Sequence, residues 1–331
     1  MAGQHTFAYV VLCHHKAEQA LRLARTIRAT SPHARVLLRH DRVDGYISAE
    51  DAHAAGADLL VSSIKIRWGH WSMVEASVEA FLRARELFRP EWTVLVSGQH
   101  YPVRRLAEWE AFVLSSGSDA VVSSEPLVAE RVPTRFRDST DRLRVRYTHR
   151  WYWLPRLNLP VRLPDTAARK ARVAWYGHLE PLQAVIALSE LPRGGGWAVG
   201  FRRWNFPFSS ARPARKGSQW LALSRSAVDL AVHSSQARRW QRWYRRTLVP
   251  DESYFHTVLE GFPEIRIQRS PITWERWSIR HLRSHPEDLT HHDLDAAHAS
   301  GCPFARKFDE ARTPGILDAI DRRLFLGSAR L

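Results

Sequence analysis

The chain has few cysteines, few lysines and no long apolar run. Its 331 residues include only two cysteines, Cys13 and Cys302. Cys13 lies in an apolar run that reads as a buried strand, so a disulfide framework is excluded and no oxidising compartment is required. No stretch of eighteen apolar residues exists, which excludes a membrane-spanning helix from the sequence pattern. The residues before Phe7 lack the charged and apolar regions of a secretion signal. Of 49 basic residues, five are lysine (Lys16, Lys65, Lys170, Lys216, Lys307) and 44 are arginine. No Asp-x-Asp, a pattern that can hold a metal at a strand end, follows the fourth expected strand; Ser97-Gly98-Gln99-His100 stands there instead. Asp293-Leu294-Asp295 has that spelling but sits in a His-rich stretch far from the strand pattern.

What is present points to a large folded domain. Hydrophobic residues make up 44% of the chain, with fourteen tryptophans. The formal net charge is +15, a field that attracts anionic partners such as nucleotide sugars, nucleic acid or an anionic lipid leaflet. Continuous or alternating apolar runs predict strands at Phe7–Cys13, Arg35–Leu38, Asp58–Ser62, Thr93–Ser97 and Ala120–Ser123. Helices are expected between them at 17–29, 71–88 and 106–114. In the first, Ala20, Leu21, Ala24 and Ile27 share one face. Pro90 ends the second. This alternation implies an α/β domain, a mostly parallel sheet flanked by helices.

Residues 124–216 lack this regularity and are rich in Arg, Pro and Trp. They read as an irregular insertion within one domain spanning 1–331, between a regular half at 1–123 and a C-terminal part at 217–331. A strand is expected at Trp220–Leu223 and one long helix at 226–248. Within that helix, Trp240, Trp243 and Tyr244 have the spacing of a core stripe. The interleaved Arg238, Arg239, Arg242, Arg245 and Arg246 then form a solvated face. The same residues would also suit nucleic acid or a membrane surface.

Pro250-Asp251-Glu252-Ser253-Tyr254-Phe255 reads as a helix start. Proline suits the first turn, and acidic residues there meet the positive end of the macrodipole. The pair is either a cap or a rigidly held catalytic carboxylate.

Ser97-Gly98-Gln99-His100-Tyr101-Pro102, Gly217-Ser218-Gln219-Trp220, Pro250-Asp251-Glu252 and Ala305-Arg306-Lys307-Phe308-Asp309 occur in that order. With Val10-Val11-Leu12-Cys13-His14-His15-Lys16 and Trp68-Gly69-His70-Trp71-Ser72-Met73-Val74, the set resembles the core-2/I-branching β-1,6-N-acetylglucosaminyltransferases and peptide O-xylosyltransferases, glycosyltransferase family 14. The resemblance runs from Phe7 to Asp309 and is weak between Ser124 and Arg215. It implies a GT-A-like, Rossmann-type fold, with 1–123 as the nucleotide-binding half, 124–216 as an acceptor-side insertion, and a catalytic helix and C-terminal diphosphate-binding segment in 217–331. It also implies an inverting, metal-independent transfer of GlcNAc or xylose from a UDP-sugar to a hydroxyl acceptor. Animal members carry an anchor and stem, so this chain is expected to be a bacterial-type cytoplasmic enzyme, with peripheral membrane contact left open.

The resemblance places roles on particular residues. Glu252 is the expected general base and Asp251 a cap. Lys307 matches one member of the family's diphosphate-holding basic pair, with Arg280 and Arg283 both open as the other. Asp41 matches the aspartate near the uracil, and His15 would lie beside the nucleotide. His100 replaces the family's usual Asp and, with Trp220, Glu125 and Glu130, is a candidate for sugar contact. No cofactor or metal is expected, because fixed cations replace the metal. His14-His15 and the cluster His291, His292, Asp293, Asp295 and His298 read better as loop or surface residues than as metal ligands. The competing readings are a basic nucleic-acid-binding protein and a degenerate, sugar-binding member of the family.

Overall fold

The computed structural model describes residues 6–41, 45–127, 146–153, 184–187, 198–204, 207–209, 213–277 and 286–326. Its centre is strand β1 (Phe7–Cys13), buried at every position. A strand with neighbours on both sides and helices on both faces must be apolar throughout, which is why Phe-Ala-Tyr-Val-Val-Leu-Cys shows no alternation. Helix α1 (Ala17–Thr30) follows, then β2 (Arg35–His40), α2 (Ala49–Ala54), β3 (Asp58–Val61), α3 (Ser72–Phe88) and β4 (Trp92–Ser97). β1 pairs in parallel with β2 on one side and β4 on the other, and β2 pairs in parallel with β3. α3 ends at Arg89, in the left-handed region at φ 49°, just before Pro90. α2 was not legible as a helix; it is short, and Ser48 caps it by accepting from the Asp51 N–H.

After β4 the chain makes a two-residue strand β5 (Tyr101–Pro102), helix α4 (Leu106–Ser115) and strand β6 (Ala120–Leu127). Three strands fall in the stretch expected to be irregular: β7 (His149–Trp153), β8 (Ala184–Ala187) and β9 (Ala198–Arg202). They form a separate antiparallel sheet in the order β7-β9-β8. Strand β10 (Ala214–Ser224) then returns to the main sheet, antiparallel to both β4 and β6.

Beyond β10, the single helix expected over 226–248 is two, α5 (Arg225–His233) and α6 (Ser235–Tyr244). The break is Ser234, extended at ψ 156°, whose hydroxyl accepts from the Ala237 N–H. An N-cap serine thus overrides a continuous apolar stripe. The stripe itself is as expected: Trp240 and Tyr244 are buried, while Arg238, Arg239 and Arg242 face solvent.

A 3-10 turn at Pro250–Glu252, helix α7 (Tyr254–Leu259) and the short strands β11 (Ile267–Gln268) and β12 (Thr273–Glu275) come next. A second 3-10 turn at His291–Asp293, helix α8 (Leu294–Ala299), strand β13 (Phe304–Arg306) and helix α9 (Ile316–Leu326) complete the described chain. The main sheet has seven strands in the order β11-β6-β10-β4-β1-β2-β3. The α/β class and the Rossmann-type, GT-A-like parallel core are therefore present, with β10 as the antiparallel member. A three-stranded sheet, β12-β13-β5, lays the C-terminal segment beside the carboxyl end of β4.

Candidate active site

Open parallel sheets bind ligands beyond the carboxyl ends of their strands. Here those ends are Cys13–Lys16 after β1, Asp41 after β2 and Ser97–His100 after β4. They are tied together: the Asp41 N–H donates to the Cys13 carbonyl (3.0 Å), and the Gly98 N–H donates to the Leu12 carbonyl (2.9 Å). The segment after β13 closes over them. The Phe308 N–H donates to the Gln99 carbonyl (2.9 Å), and Gln19 donates to the Gly98 and Phe308 carbonyls at 2.9 and 3.2 Å.

This closure brings His15, Lys16, Lys307 and Asp309 together. Lys16 is held at φ 55° and forms an ion pair with Asp309. Lys307 Nζ lies 3.7 Å from Asp288, which also pairs with Arg312. Burial holds the His15 imidazole below its usual range, and Lys16 and Lys307 push the same way. His15 is thus neutral at physiological pH beside two lysines. Burial pushes the Asp309 carboxyl up, but hydrogen bonding and charge from Lys16 outweigh it, and the net shift is downward. Asp41 pairs with Arg39, which has no exposed side-chain surface. Burial still raises the Asp41 carboxyl against the pull of Arg39.

Glu252 lies in the second half of the site. Its half-buried carboxylate accepts from Arg146 at 2.9 Å. Its setting differs from the continuous helix expected. Ser253, at φ −142°, separates the 3-10 turn from α7. The Ser253 hydroxyl is 2.7 Å from the buried Tyr244 hydroxyl, which also donates to Thr257 at 2.9 Å. This buried network, rather than a helix dipole, positions the acidic pair. Asp251 is not the expected cap: no side-chain cap closes the turn. It is 5% exposed, and its Oδ1 has no hydrogen-bond partner among the described residues. Burial, with repulsion from Glu252, pushes its carboxyl up to about 7.

Arg306 joins the halves. Its guanidinium donates to Glu275 at 3.0 Å and lies 4.9 Å from the Trp220 ring. Burial depresses its pKa, and the charges of Glu275 and Glu252 oppose that. Adjacent residues at the end of β13 therefore reach two places, Arg306 toward the Glu252 side and Lys307 toward the strand-end cluster.

The Gly217-Ser218-Gln219-Trp220 motif is a bulge in β10, where the register against β6 shifts between Gly217 and Leu221. A Cβ at Gly217 would sit 1.8 Å from the Ser123 carbonyl oxygen, so only glycine fits. His256 fastens the bulge: Nε2 is 2.9 Å from the Ser218 carbonyl. Burial lowers the His256 pKa to about 4, so the ring is neutral and donates this bond. The bulge points Trp220 at His100, ring to ring at 4.7 Å.

His100 and Trp220, considered for sugar contact, are both enclosed. His100 has no exposed surface; its Nδ1 accepts from the Ser97 N–H at 3.0 Å and contacts the Ser97 hydroxyl at 2.8 Å. Burial and the nearby Arg306 keep its ring well below the usual imidazole range, hence neutral. Trp220 is 7% exposed. Glu125 is exposed on β6, opposite Lys216 in the register with β10. Glu130, Arg280 and Arg283 lie outside the described residues. Arg146 and Arg306 were not assigned roles from sequence. Arg306 was within reach, as it belongs to the Lys307 motif; Arg146 stands in an arginine-rich stretch that offers no local signal.

In the C-terminal His-rich stretch, His291 and His298 contact the Pro314 and Val103 carbonyls at 3.3 and 3.1 Å. Asp293 accepts from the Thr290 N–H at 2.7 Å in a capping box and pairs with Arg276 at 2.8 Å. Asp295 is exposed and pairs with Arg323. Among the described residues, no group of three or more His, Cys, Asp or Glu is placed to hold a metal ion. No helix among them is long and apolar enough to cross a membrane. A surface depression of about 460 Å³ lined by Glu91, Trp92, Ser118, Asp119, Ser224 and Arg225 lies at the amino end of β4. That is the opposite end of the sheet, away from the strand-end candidates among the described residues.

A family model described as Core-2/I-Branching enzyme matches residues 5–298. Xylosyltransferase of Ciona intestinalis is 31% identical over 127 residues, covering 33% of this chain and 15% of that protein. Xylosyltransferase 2 of Rattus norvegicus is 29% identical over 126 residues, with the same coverages. The chain thus spans about 15% of the length of these curated relatives. Among solved structures, apo mouse xyloside xylosyltransferase 1 aligns over 93% of this chain and 99% of its own, at 12% identity and TM-score 0.36.

Proposed function

This chain belongs to the Core-2/I-Branching enzyme family, and from that premise we propose that it transfers a sugar from a UDP-sugar to an acceptor hydroxyl. The observation that carries this reading is the pair Arg306 and Lys307. Their adjacency places a half-buried carboxylate and a strand-end cation cluster on two sides of one short segment.

In this reading Glu252 takes the proton from the acceptor hydroxyl as that oxygen attacks the anomeric carbon. Arg146 fixes the carboxylate's orientation. Lys307, with Lys16 beside it, stabilises the negative charge that grows on the departing diphosphate. Each lysine rests on a carboxylate, Asp288 or Asp309, which keeps it ordered before the donor arrives. Asp41 is the residue for the uracil side and neutral His15 for the nucleotide, as the family resemblance implies. With the base and the leaving group on opposite faces of the sugar, one displacement inverts the anomeric centre. Fixed cations supply the electrostatic work that a metal does elsewhere, so the reaction is metal-independent. GlcNAc and xylose are the donor sugars favoured by the family.

The test is donor hydrolysis and transfer across a panel of UDP-sugars, with and without EDTA. Turnover of UDP-GlcNAc or UDP-xylose that survives chelation is expected. Activity abolished by EDTA and restored by Mn²⁺ would remove the metal-independent mechanism. Failure to bind UDP or turn over any UDP-sugar would remove the enzymatic reading.

A further inference from the structure

The arginine-rich helix has no part in the chemistry above, yet its solvent side is unusual. In α6 and its C-cap, Arg238, Arg239, Arg242 and Arg245 fall within an arc of roughly 120° at 3.6 residues per turn. All four are exposed, and 235–246 contains no acidic residue. Among the described residues only Arg245 has a carboxylate partner, Glu75 at 3.5 Å. The opposite side, Ala237, Trp240 and Tyr244, is buried in the core. The charged face is therefore held rigidly and in register.

It continues onto the small antiparallel sheet. The Arg246 guanidinium lies 4.7 Å from the Tyr152 ring of β7, and Tyr152 meets Phe201 of β9 edge-on at 5.8 Å. Exposed Arg150 lies 5.9 Å from the same Tyr152 ring. Arg203 covers Trp243 at 4.0 Å and donates to the Trp243 and Arg246 carbonyls. The next residue, Trp204, is 87% exposed, and Phe201 is 49% exposed. Two large, solvent-facing apolar side chains thus accompany these arginines, Trp204 next to Arg203 in sequence and Phe201 against the Tyr152 ring that Arg150 and Arg246 approach.

We infer that this face binds an anionic phospholipid surface. The chain carries +15 net charge, and this face concentrates cations with Glu75 as the one carboxylate paired to its four helix arginines among the described residues, complementing a negative leaflet. Indole and phenyl rings flanked by arginine suit the headgroup level of a bilayer. Nucleic acid is the less fitting occupant. A bound strand stacks successive bases on open aromatic faces, and here two of the four rings, Trp243 and Tyr152, are already covered by Arg203 and Arg246, which leaves Trp204 and Phe201 as the open ones. The buried stripe of α6 belongs to the core, so the contact is electrostatic adsorption with Trp204 and Phe201 as shallow anchors, not insertion of the helix. This contact is independent of the sugar-transfer reading and is measured without it.

The experiment is vesicle flotation with the full chain. Binding to phosphatidylglycerol/phosphatidylcholine vesicles is expected, with little binding to phosphatidylcholine alone and loss at about 0.5 M salt. Arg239→Ala/Arg242→Ala should weaken partitioning by roughly 25-fold, about fivefold for each arginine near an anionic surface. Arg239→Lys/Arg242→Lys should retain binding, and Trp204→Ser should weaken it without altering the circular dichroism spectrum. Equal binding to neutral and anionic vesicles, or unchanged partitioning of the double Ala variant, would overturn the inference. So would tighter, vesicle-competing binding to single-stranded RNA or DNA.

Discussion

Asp251→Asn separates two views of the acidic pair, because a cap and a buried acid respond to pH in opposite ways. Asp251 is 5% exposed and next to Glu252, and its carboxyl is pushed up to about 7 from 3.8. The native state therefore keeps a proton that the unfolded chain releases near pH 4. Stability from this group is full below pH 4, falls as pH rises, and is lost by about pH 7. The rise from 3.8 to about 7 is worth about 4 kcal/mol over the whole titration. Asn cannot ionise, so the variant escapes this loss. Urea unfolding of both proteins at pH 5 and pH 8 measures it. The difference, variant minus wild type, should shift in the variant's favour by about 2.5 kcal/mol between the two pH values, since part of the loss has already occurred by pH 5. His100 and His256 titrate in both proteins and cancel in the comparison. A difference that is the same at both pH values, or one that shifts in the wild type's favour as pH rises, would refute the buried-acid account. The second outcome would restore the cap.

The remaining predictions concern the site directly. Glu252→Gln should keep UDP binding and lose roughly 10²–10⁴-fold in transfer rate; near wild-type transfer would move the base elsewhere, with Glu125 the next candidate. Lys307→Ala should raise the Kd for UDP and slow turnover, as read by calorimetry and steady-state kinetics, whereas unchanged values would confine Lys307 to its pairing with Asp288. Gly217→Ala should lower the thermal midpoint or abolish soluble expression, because its Cβ would meet the Ser123 carbonyl at 1.8 Å. A variant as stable as wild type would show that the bulge relaxes.

β1 was legible residue for residue, because a strand buried on both faces has to be apolar throughout, and local composition records that. α1 and α3 were legible for a similar reason: burying one side of a helix imposes a 3.6-residue period. Short elements were not. β5, β12 and β13 have two or three residues each, too few for any period, and they exist because they pair with one another. The Ser234 break was written in the chain as a capping serine, but a strong apolar stripe ran through it and concealed it.

In the site, the sequence marked which residues stand out as candidates. Glu252 beside Asp251, the lone lysine of Ala305-Arg306-Lys307, and Gly217 at a place where no side chain fits are all local signals. Only the tertiary structure decided what those residues do to one another. Asp251 and Glu252 are adjacent in sequence, yet one is buried with its Oδ1 unpaired among the described residues and the other is held by Arg146, more than a hundred residues away. Arg306 gains its neighbours Trp220, Glu275 and Glu252 from three separate elements. Burial and charge act through space, so the protonation of Asp251, the neutrality of His15 and the pairing of Glu252 followed from how the sheet and its C-terminal segment close.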